Sequence, residues 1–271
     1  MTAADLTLLR RWTAARLRLI RRNPRLVFLT FAFPLVMLVL FNGLNGNARV
    51  SAAGPALGKV DFAQFFTPSI GIFGLSMACY SGVIMGISTA RDAGLLKRVR
   101  GTPLPMTTYV ASWLIGAALT GIAAIVLMFA IAVPAFGVDV PAGNLPAAIV
   151  TLVLGALCLA ALGLAVASLA RTSDQAMPIA QLTLLPLTFI SGVFSPLDGA
   201  PDWLVRIADL FPLRHIVEAF DACFVAGTPH AGWSGGDLLS IAVWGAAGLW
   251  VAARRFRWEP AVRARALPVP R

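Results

Sequence analysis

The stretch most similar to a nucleotide-binding motif runs from Gly54 to Val60. Gly54 and Gly58 precede Lys59, as in a loop whose backbone N–H groups cradle phosphates. The run is one residue short between its glycines, and Val60 stands where a serine or threonine hydroxyl would bind magnesium. We therefore expect that this chain cannot hydrolyse ATP unaided.

Candidate nucleophiles and metal ligands are also isolated. His215 and His230 have no cysteine or carboxylate at ligand spacing. Ser195 has no paired base and no Gly-x-Ser-x-Gly turn around it. The cysteines show no metal-ligand spacing and are interpreted as packing residues: Cys79, Cys158 and Cys223. An intramembrane enzyme is therefore disfavoured, and no metal or cofactor is expected on this chain.

The composition indicates a protein of the lipid bilayer. Of its 271 residues, 58% are hydrophobic and 13% charged, and the mean hydropathy is +0.81. A net charge of +10 would suggest nucleic acid as the partner of a soluble protein, but this apolar content excludes that class.

Long intervals without ionisable residues predict an all-α membrane protein. A helix needs about 20 mostly apolar residues to cross a hydrocarbon core of about 30 Å. The last span begins near Gly235, with Asp237 in the interface. We predict one membrane domain, 26–253, and a basic tail, 254–271. Its six spans lie near 26–44, 66–89, 106–133, 146–169, 175–194 and 235–253.

The distribution of basic residues predicts that both termini are cytoplasmic. Eighteen of the 22 basic residues fall in the segments on that side. The outer segments carry the other four, Arg49, Lys59, Arg206 and Arg214. Arginine outnumbers lysine twenty to two, which suggests a GC-rich bacterial genome and therefore a bacterial plasma membrane.

Residues 1–25 ahead of the first span form an amphipathic pattern. Apolar residues such as Leu9 and Trp12 fall on one half of a helix, and most of the arginines fall on the other half. The pattern predicts a helix on the cytoplasmic leaflet. A docking helix for a partner protein is the alternative, and the two roles are compatible.

The second cytoplasmic segment, 91–105, has a similar pattern on a smaller scale. Leu95, Leu96 and Val99 share one helical face among basic residues, and Gly101 stops the helix. An apolar face on a short helix favours docking into a partner. A basic loop that only sets the topology explains the same residues equally well.

Two stretches make the family recognisable. Arg91 to Pro105, with Tyr109, resembles the cytoplasmic loop of membrane subunits in type-2 ATP-binding cassette (ABC) exporters, such as the daunorubicin-resistance permeases. Ser191 to Pro196, continuing to Phe220, resembles the outer segment of that family before its last helix. One departure is visible, since Thr89 and Ala90 stand where the family often has an acidic residue.

The resemblance implies a permease that pairs with a separate ATPase subunit, which binds ATP and magnesium, in a complex with two membrane halves. It implies a homodimer of this permease and an apolar pathway for a drug, a lipid or a lipid-linked glycan. It also implies short re-entrant helices in 198–220. The expected ATPase-coupling residues are Arg91, Asp92, Gly94, Leu95, Leu96, Lys97, Arg98, Val99, Arg100 and Pro103; the expected pathway residues are Ser76, Tyr80, Thr183, Thr188 and Phe189.

An ion-coupled secondary transporter is the competing hypothesis. Such proteins commonly place ionisable side chains in the membrane to carry protons or bind cations. The first five predicted spans contain none, which disfavours proton coupling. Sodium bound by backbone carbonyls stays possible on this argument.

The predicted orientation can be tested by cysteine labelling in intact cells. We expect Asp139→Cys and Asp202→Cys to react with an impermeant thiol reagent from outside and Arg98→Cys to stay unlabelled, because Arg98 lies in the predicted cytoplasmic segment. The chain without an added cysteine is the control. Labelling at position 98 before the cells are permeabilised would contradict the orientation.

Overall fold

A computed structural model describes residues 3–45, 48–51, 59–102, 104–170, 172–195, 197, 200–225 and 232–255. The described chain is helical apart from a short antiparallel hairpin of β1 (Arg49–Ser51) and β2 (Lys59–Asp61). The α-helices in chain order are α1 (Ala3–Arg21), α2 (Pro24–Val27), α3 (Phe33–Asn45), α4 (Phe62–Ser76), α5 (Gly82–Asp92), α6 (Leu95–Arg100), α7 (Met106–Phe136), α8 (Leu145–Leu169), α9 (Ser173–Ile190), α10 (Asp202–Asp209), α11 (Pro212–Asp221) and α12 (Gly235–Arg255).

The all-α membrane class is confirmed. Within the described residues, four helical segments are long and apolar enough to cross a membrane: Phe62–Asp92, Thr107–Phe136, Ala142–Leu169 and Gly235–Arg255. The apolar helix Thr30–Asn45 is shorter. The remaining predicted span corresponds to α9, which has 18 residues and contains two prolines. The count of six spans therefore stays a prediction.

Helix α9 begins and ends close to the predicted fifth span, near 175–194. Helix α9 ends at Ile190, and the chain turns through Ser191 to Ser195. Gly192 adopts a φ of 84°, a left-handed conformation that only glycine reaches without steric cost. The turn follows from this glycine, which the apolar pattern of the segment does not reveal.

Two π-helical stretches interrupt the first two spans, at Phe28–Ala32 and at Met77–Ser81. The first one precedes Pro34, whose ring lacks an N–H and would clash with the carbonyl of Thr30 in a regular α-helix. A wider turn relieves this clash. The second one joins α4 to α5, so that Phe62–Asp92 is one continuous helical segment.

Small residues let the helices approach closely. A Cβ at Gly163 on α8 would lie 2.8 Å from the backbone oxygen of Tyr80, and one at Gly248 on α12 would lie 3.0 Å from the Leu162 nitrogen. Helix association in lipid depends on van der Waals packing of this kind. Gly86, on the second span, faces Trp113 of the same chain, where a Cβ would overlap the indole ring.

The segment before the last span forms α10 and α11, two short helices as predicted. Helix α11 packs against α4, α8 and α12, and its Ile216 lies against Gly155 of α8. Asp221 at the end of α11 is buried and accepts a hydrogen bond of 2.7 Å from the Ser69 hydroxyl. The segment is therefore part of the helical bundle and brings a carboxyl group into it.

Candidate functional site

Helix α6 in the 91–105 segment ends before Gly101, the residue that we expect to stop it. Gly94 begins it with a φ of 67°, which reverses the chain direction between α5 and α6 at a position suited to glycine. Gly101 ends it, and the Thr102 hydroxyl donates to the Val99 carbonyl at 2.7 Å. Pro103 lies outside the described residues. The result is a helix of fewer than two turns next to the end of the second span.

The apolar face of α6 points into its own chain. Leu96 is 0% exposed and Val99 is 4% exposed, and both belong to the hydrophobic core. Core packing therefore covers two of the three residues of this face in the single chain, and docking of the face into a partner stays a prediction. Leu95, at 39% exposure, remains accessible beside the exposed side chains of Lys97 and Arg98. We call these three residues the α6 outer face.

Arg91 and Asp92 hold the connection between α8 and α9. The guanidinium of Arg91 is buried and donates to the carbonyls of Ala167 and Ala170, at 3.2 and 2.6 Å. Asp92 accepts a hydrogen bond of 2.5 Å from the backbone N–H of Ser173. We call this arrangement the Arg91–Asp92 clamp.

The partial charges at the ends of α8 and α9 explain why Arg91 is basic and Asp92 is acidic. The last carbonyls of α8 lack intrahelical partners and carry partial negative charge, which the Arg91 cation satisfies. The first N–H groups of α9 carry partial positive charge, and the Asp92 carboxylate caps one of them because Thr172 forms no side-chain cap. The end of α5 is thereby tied to two other helices. The sequence signal was an Arg-Asp pair just before a turn glycine, interpreted above only as part of a contact to the ATPase.

The predicted pathway residues do not line one common surface. Tyr80, in the π-helical stretch, has its hydroxyl 2.7 Å from the Thr183 hydroxyl of α9. Ser76 and Thr188 are buried, and each donates to a carbonyl of its own helix. Phe189 is exposed and packs on Phe194. The structure brings together only the Tyr80 and Thr183 pair.

A cavity of about 410 Å³ lies at the same end of the bundle as α6. Its walls come from α1, the Phe62–Asp92 segment, α7 and α9, and Leu95 of the α6 outer face reaches its edge. None of the five predicted pathway residues lines it. The sequence analysis missed this cavity because its walls come from helices distant along the chain.

The other candidate residues have structural partners. His215 contacts the Asp237 carboxylate at 2.7 Å through Nδ1 and the Asp209 carbonyl at 2.9 Å through Nε2, which fixes α11 against α10 and α12. Within the described residues, no group of three or more His, Cys, Asp or Glu could hold a metal ion. His230 and the glycines at 54 and 58 lie outside the described residues.

Comparison with known proteins identifies the family. The family model described as "ABC-2 type transporter" matches residues 7–225. This chain belongs to the ABC-2 type transporter family. It is 24% identical over 201 residues to the inner membrane transport permease YadH of Escherichia coli K12, covering 74% of this chain and 77% of YadH. It is 26% identical over 220 residues to the daunorubicin resistance ABC transporter permease protein DrrB1 of Streptomyces coeruleorubidus, covering 80% of this chain and 74% of DrrB1.

The resemblance deduced from the two sequence stretches is confirmed by this match. The matched region includes α1, α6, the clamp and the outer helices α10 and α11. The ABC-2 chain is thus the membrane subunit of an ABC transporter, and its apolar helices agree with a multi-pass location in the membrane.

The clamp predicts that replacing Arg91 destabilises this ABC-2 chain more than replacing Arg98. We expect Arg91→Met to lower the free energy of unfolding by about 2 kcal/mol or more, because two buried carbonyls lose their donors and each costs about 1–3 kcal/mol. Arg98→Met, on the exposed outer face, should change it by less than about 0.5 kcal/mol. Thermal unfolding of the detergent-purified chain measures both, and equal midpoints would contradict the clamp.

Proposed function

We propose that this chain is the permease of an exporter driven by ATP, with hydrolysis carried out by a separate ATPase subunit. The observation that carries the proposal is the position of α6 beside the Arg91–Asp92 clamp. Membership of the ABC-2 family supports an ATPase partner. A bacterial plasma membrane with both termini in the cytoplasm belongs to the same proposal.

The clamp supplies a route from the ATPase to the membrane helices. A partner bound to the α6 outer face would move α6 and the end of α5 together, since Gly94 and Ala93 alone separate the two helices. Through Arg91 and Asp92, the same displacement would reach the end of α8 and the start of α9. Helix α9 also meets the second span at the pair of Tyr80 and Thr183. Closure of the ATPase would therefore move the start of α9 together with the end of the second span.

The chain's exposed apolar surface supports assembly into a homodimer. Leu182 and Phe189 on α9 are 75% and 64% exposed, and α3 exposes Leu40 and Leu44. A second copy or lipid covers such surface in a membrane. The name of DrrB1 suggests a hydrophobic drug as the substrate, and a lipid or a lipid-linked glycan fits an apolar pathway equally well.

The buried carboxyl of Asp221 is the observation that favours ion coupling. Burial raises the pKa of Asp221 well above its usual value and favours the protonated form, and one carboxyl oxygen accepts a hydrogen bond from Ser69. A proton carrier must exchange its proton with both sides of the membrane, whereas this side chain is 3% exposed. We therefore assign Asp221 a packing role.

Reconstitution separates the two energy sources. We expect export from proteoliposomes to require the ATPase subunit and ATP, and to persist when a protonophore collapses the proton gradient. Asp221→Asn, which keeps the shape and a hydrogen bond to Ser69, should transport at the wild-type rate. Uptake of a panel of hydrophobic drugs and lipid analogues measures transport. Movement by the permease alone that the protonophore abolishes would overturn the proposal.

Variants of α6 test how the ATPase is bound. We expect Leu95→Asp to reduce co-purification of the ATPase by about tenfold while the chain keeps its unfolding temperature, because the carboxylate replaces an exposed apolar contact. Arg98→Ala should have a smaller effect, since rim charges contribute about 0–1 kcal/mol. Leu96→Asp should instead destabilise the chain, because it buries an unpaired charge in the core.

The reverse effects of Leu95→Asp and Leu96→Asp would contradict the assignment of the α6 outer face to ATPase binding. If Leu96→Asp folded normally and lost the ATPase while Leu95→Asp retained it, the apolar face of α6 would turn outward in the complex. Unfolding temperature and ATPase recovery, measured on the same preparations, distinguish the two cases.

A further inference from the structure

Arg16 is the arginine of α1 that breaks the amphipathic pattern. On a helical wheel with about 100° per residue, Arg16 lies between Leu9 and Trp12, in the middle of the apolar half of α1. Arg10, Arg11 and Arg18 fall on the opposite half and are exposed. A cation on the buried side of a helix at a membrane surface needs a specific partner.

Packing holds Arg16 in a defined place. Its guanidinium lies over the ring of Trp113 on α7, a cation–π arrangement. A Cβ at Gly116 would lie 3.0 Å from the Arg16 Cδ atom, so this glycine makes room for the side chain. Among the described residues, no carboxylate lies within 4.0 Å of the guanidinium. The described residues therefore position the Arg16 cation without supplying an acidic partner for it.

Arg16 and Trp113 form one wall of the 410 Å³ cavity, which we call the α1 cavity. Its other walls are largely apolar and include Met77, Met85 and Met177. Methionine side chains adapt to differently shaped apolar ligands. The volume falls in the range of about 300–1,000 Å³ that is typical of small-molecule sites.

Unpaired polar atoms lie in the same cavity. The Thr30 hydroxyl and the Oε1 atom of Gln181 have no hydrogen-bond partner among the described residues, and both residues line the cavity. Buried polar atoms of this kind are normally satisfied by a ligand or by water. The lining thus offers one cation and a few polar groups within apolar walls.

The cavity is accessible from outside the bundle. Leu19 of α1 is 63% exposed, and Thr89 is exposed at the end of the second span. Both lie at the end of the bundle that carries α6, which is the predicted cytoplasmic side. An amphiphile from the inner leaflet could therefore reach the cavity while its head group stays near the membrane surface.

We propose that the α1 cavity binds an amphiphile with an anionic head group and an apolar chain, with Arg16 contacting the head group. Charge complementarity selects the anion, because the described residues of the lining include no second ionisable side chain. Burial lowers the pKa of Arg16 to about 9, while Tyr109 opposes this shift. The guanidinium therefore remains charged near pH 7. Its head-group ligand would compensate a cation whose hydration the cavity limits.

The α1 cavity deepens the proposed function by naming a class of ligand. Transport of that ligand rests on the proposed function, whereas its binding does not. Leu95 of the α6 outer face also lines the cavity. A bound amphiphile would therefore lie beside the segment that we assign to the ATPase contact. Binding itself needs neither ATP nor turnover.

Quenching of Trp113 fluorescence tests binding directly. The complex of the permease with its ATPase is placed in phosphatidylcholine nanodiscs that contain phosphatidic acid with brominated chains. Because the chain has 7 tryptophans, the signal of Trp113 is the difference between the wild type and Trp113→Phe. We expect half-maximal quenching at about tenfold less phosphatidic acid than brominated phosphatidylcholine, the factor that corresponds to about 1.4 kcal/mol.

Matched arginine variants assign this preference to Arg16. Arg16→Gln should abolish the tenfold preference, and Arg16→Lys should retain part of it because the charge remains. Arg18→Gln, on the exposed face of the same helix, should leave the preference unchanged. Equal quenching by the two lipids in the wild type, or equal losses in Arg16→Gln and Arg18→Gln, would overturn the proposal. Unfolding temperatures check that each variant folds.

Two further arms identify the source of the ligand. Inorganic phosphate should not displace the lipid, and full displacement by phosphate would refute a role for the apolar chain. Fluorescent phosphatidic acid that changes leaflet with ATP supports a transported cargo, whereas binding without movement supports a resident lipid at the same site. If no substrate moves with ATP but the head-group preference persists, the proposed function fails and the site stands.

Discussion

The segment Phe62–Asp92 is surrounded by the rest of the bundle, and 83% of its most apolar stretch is buried. Helices α3, α7, α8, α9 and α11 all contact it. This burial is possible because the segment carries no ionisable residue before Arg91 and because facing glycines, such as Gly121 and Gly163, let other helices reach its backbone. A membrane interior offers no water to satisfy polar groups, so the first charges appear where the segment leaves the bundle.

Those first charges, on Arg91 and Asp92, join the end of the second span to two other helices. Arg91 and Asp92 neutralise the opposite partial charges at the end of α8 and at the start of α9, so one helix end controls the position of two others. The adjacent α6 buries Leu96 and Val99 in the core and is therefore packed into the bundle beside this junction. A transporter needs such a connection if a partner outside the membrane is to move helices inside it.

The same end of the bundle carries two surfaces, on different faces, to which we assign the two proposed binding functions. The α6 outer face is polar at Lys97 and Arg98 and suits a protein partner. The α1 cavity is apolar with one cation and suits an amphiphile. Leu95 belongs to both surfaces, which gives a ligand in the cavity a direct contact with the segment assigned to ATPase binding. At the outer end, His215 and Asp237 fasten α11 to α12 and close the bundle.

The sequence alone determined the membrane class, the approximate position of each long helix and the family, because apolar runs, charged gaps and the 91–105 motif are local patterns. It also determined the end of α6 at Gly101, whereas the left-handed turn at Gly94 that begins α6 came from the structure. The direction of the apolar face of α6 was decided by tertiary structure, since Leu96 packs equally well into a partner or into the chain's own core. The clamp, the pair of Tyr80 and Thr183 and the α1 cavity also escaped sequence reasoning. Each of them joins residues from helices far apart along the chain, and periodicity describes which residues share a helix face but not which helix that face meets.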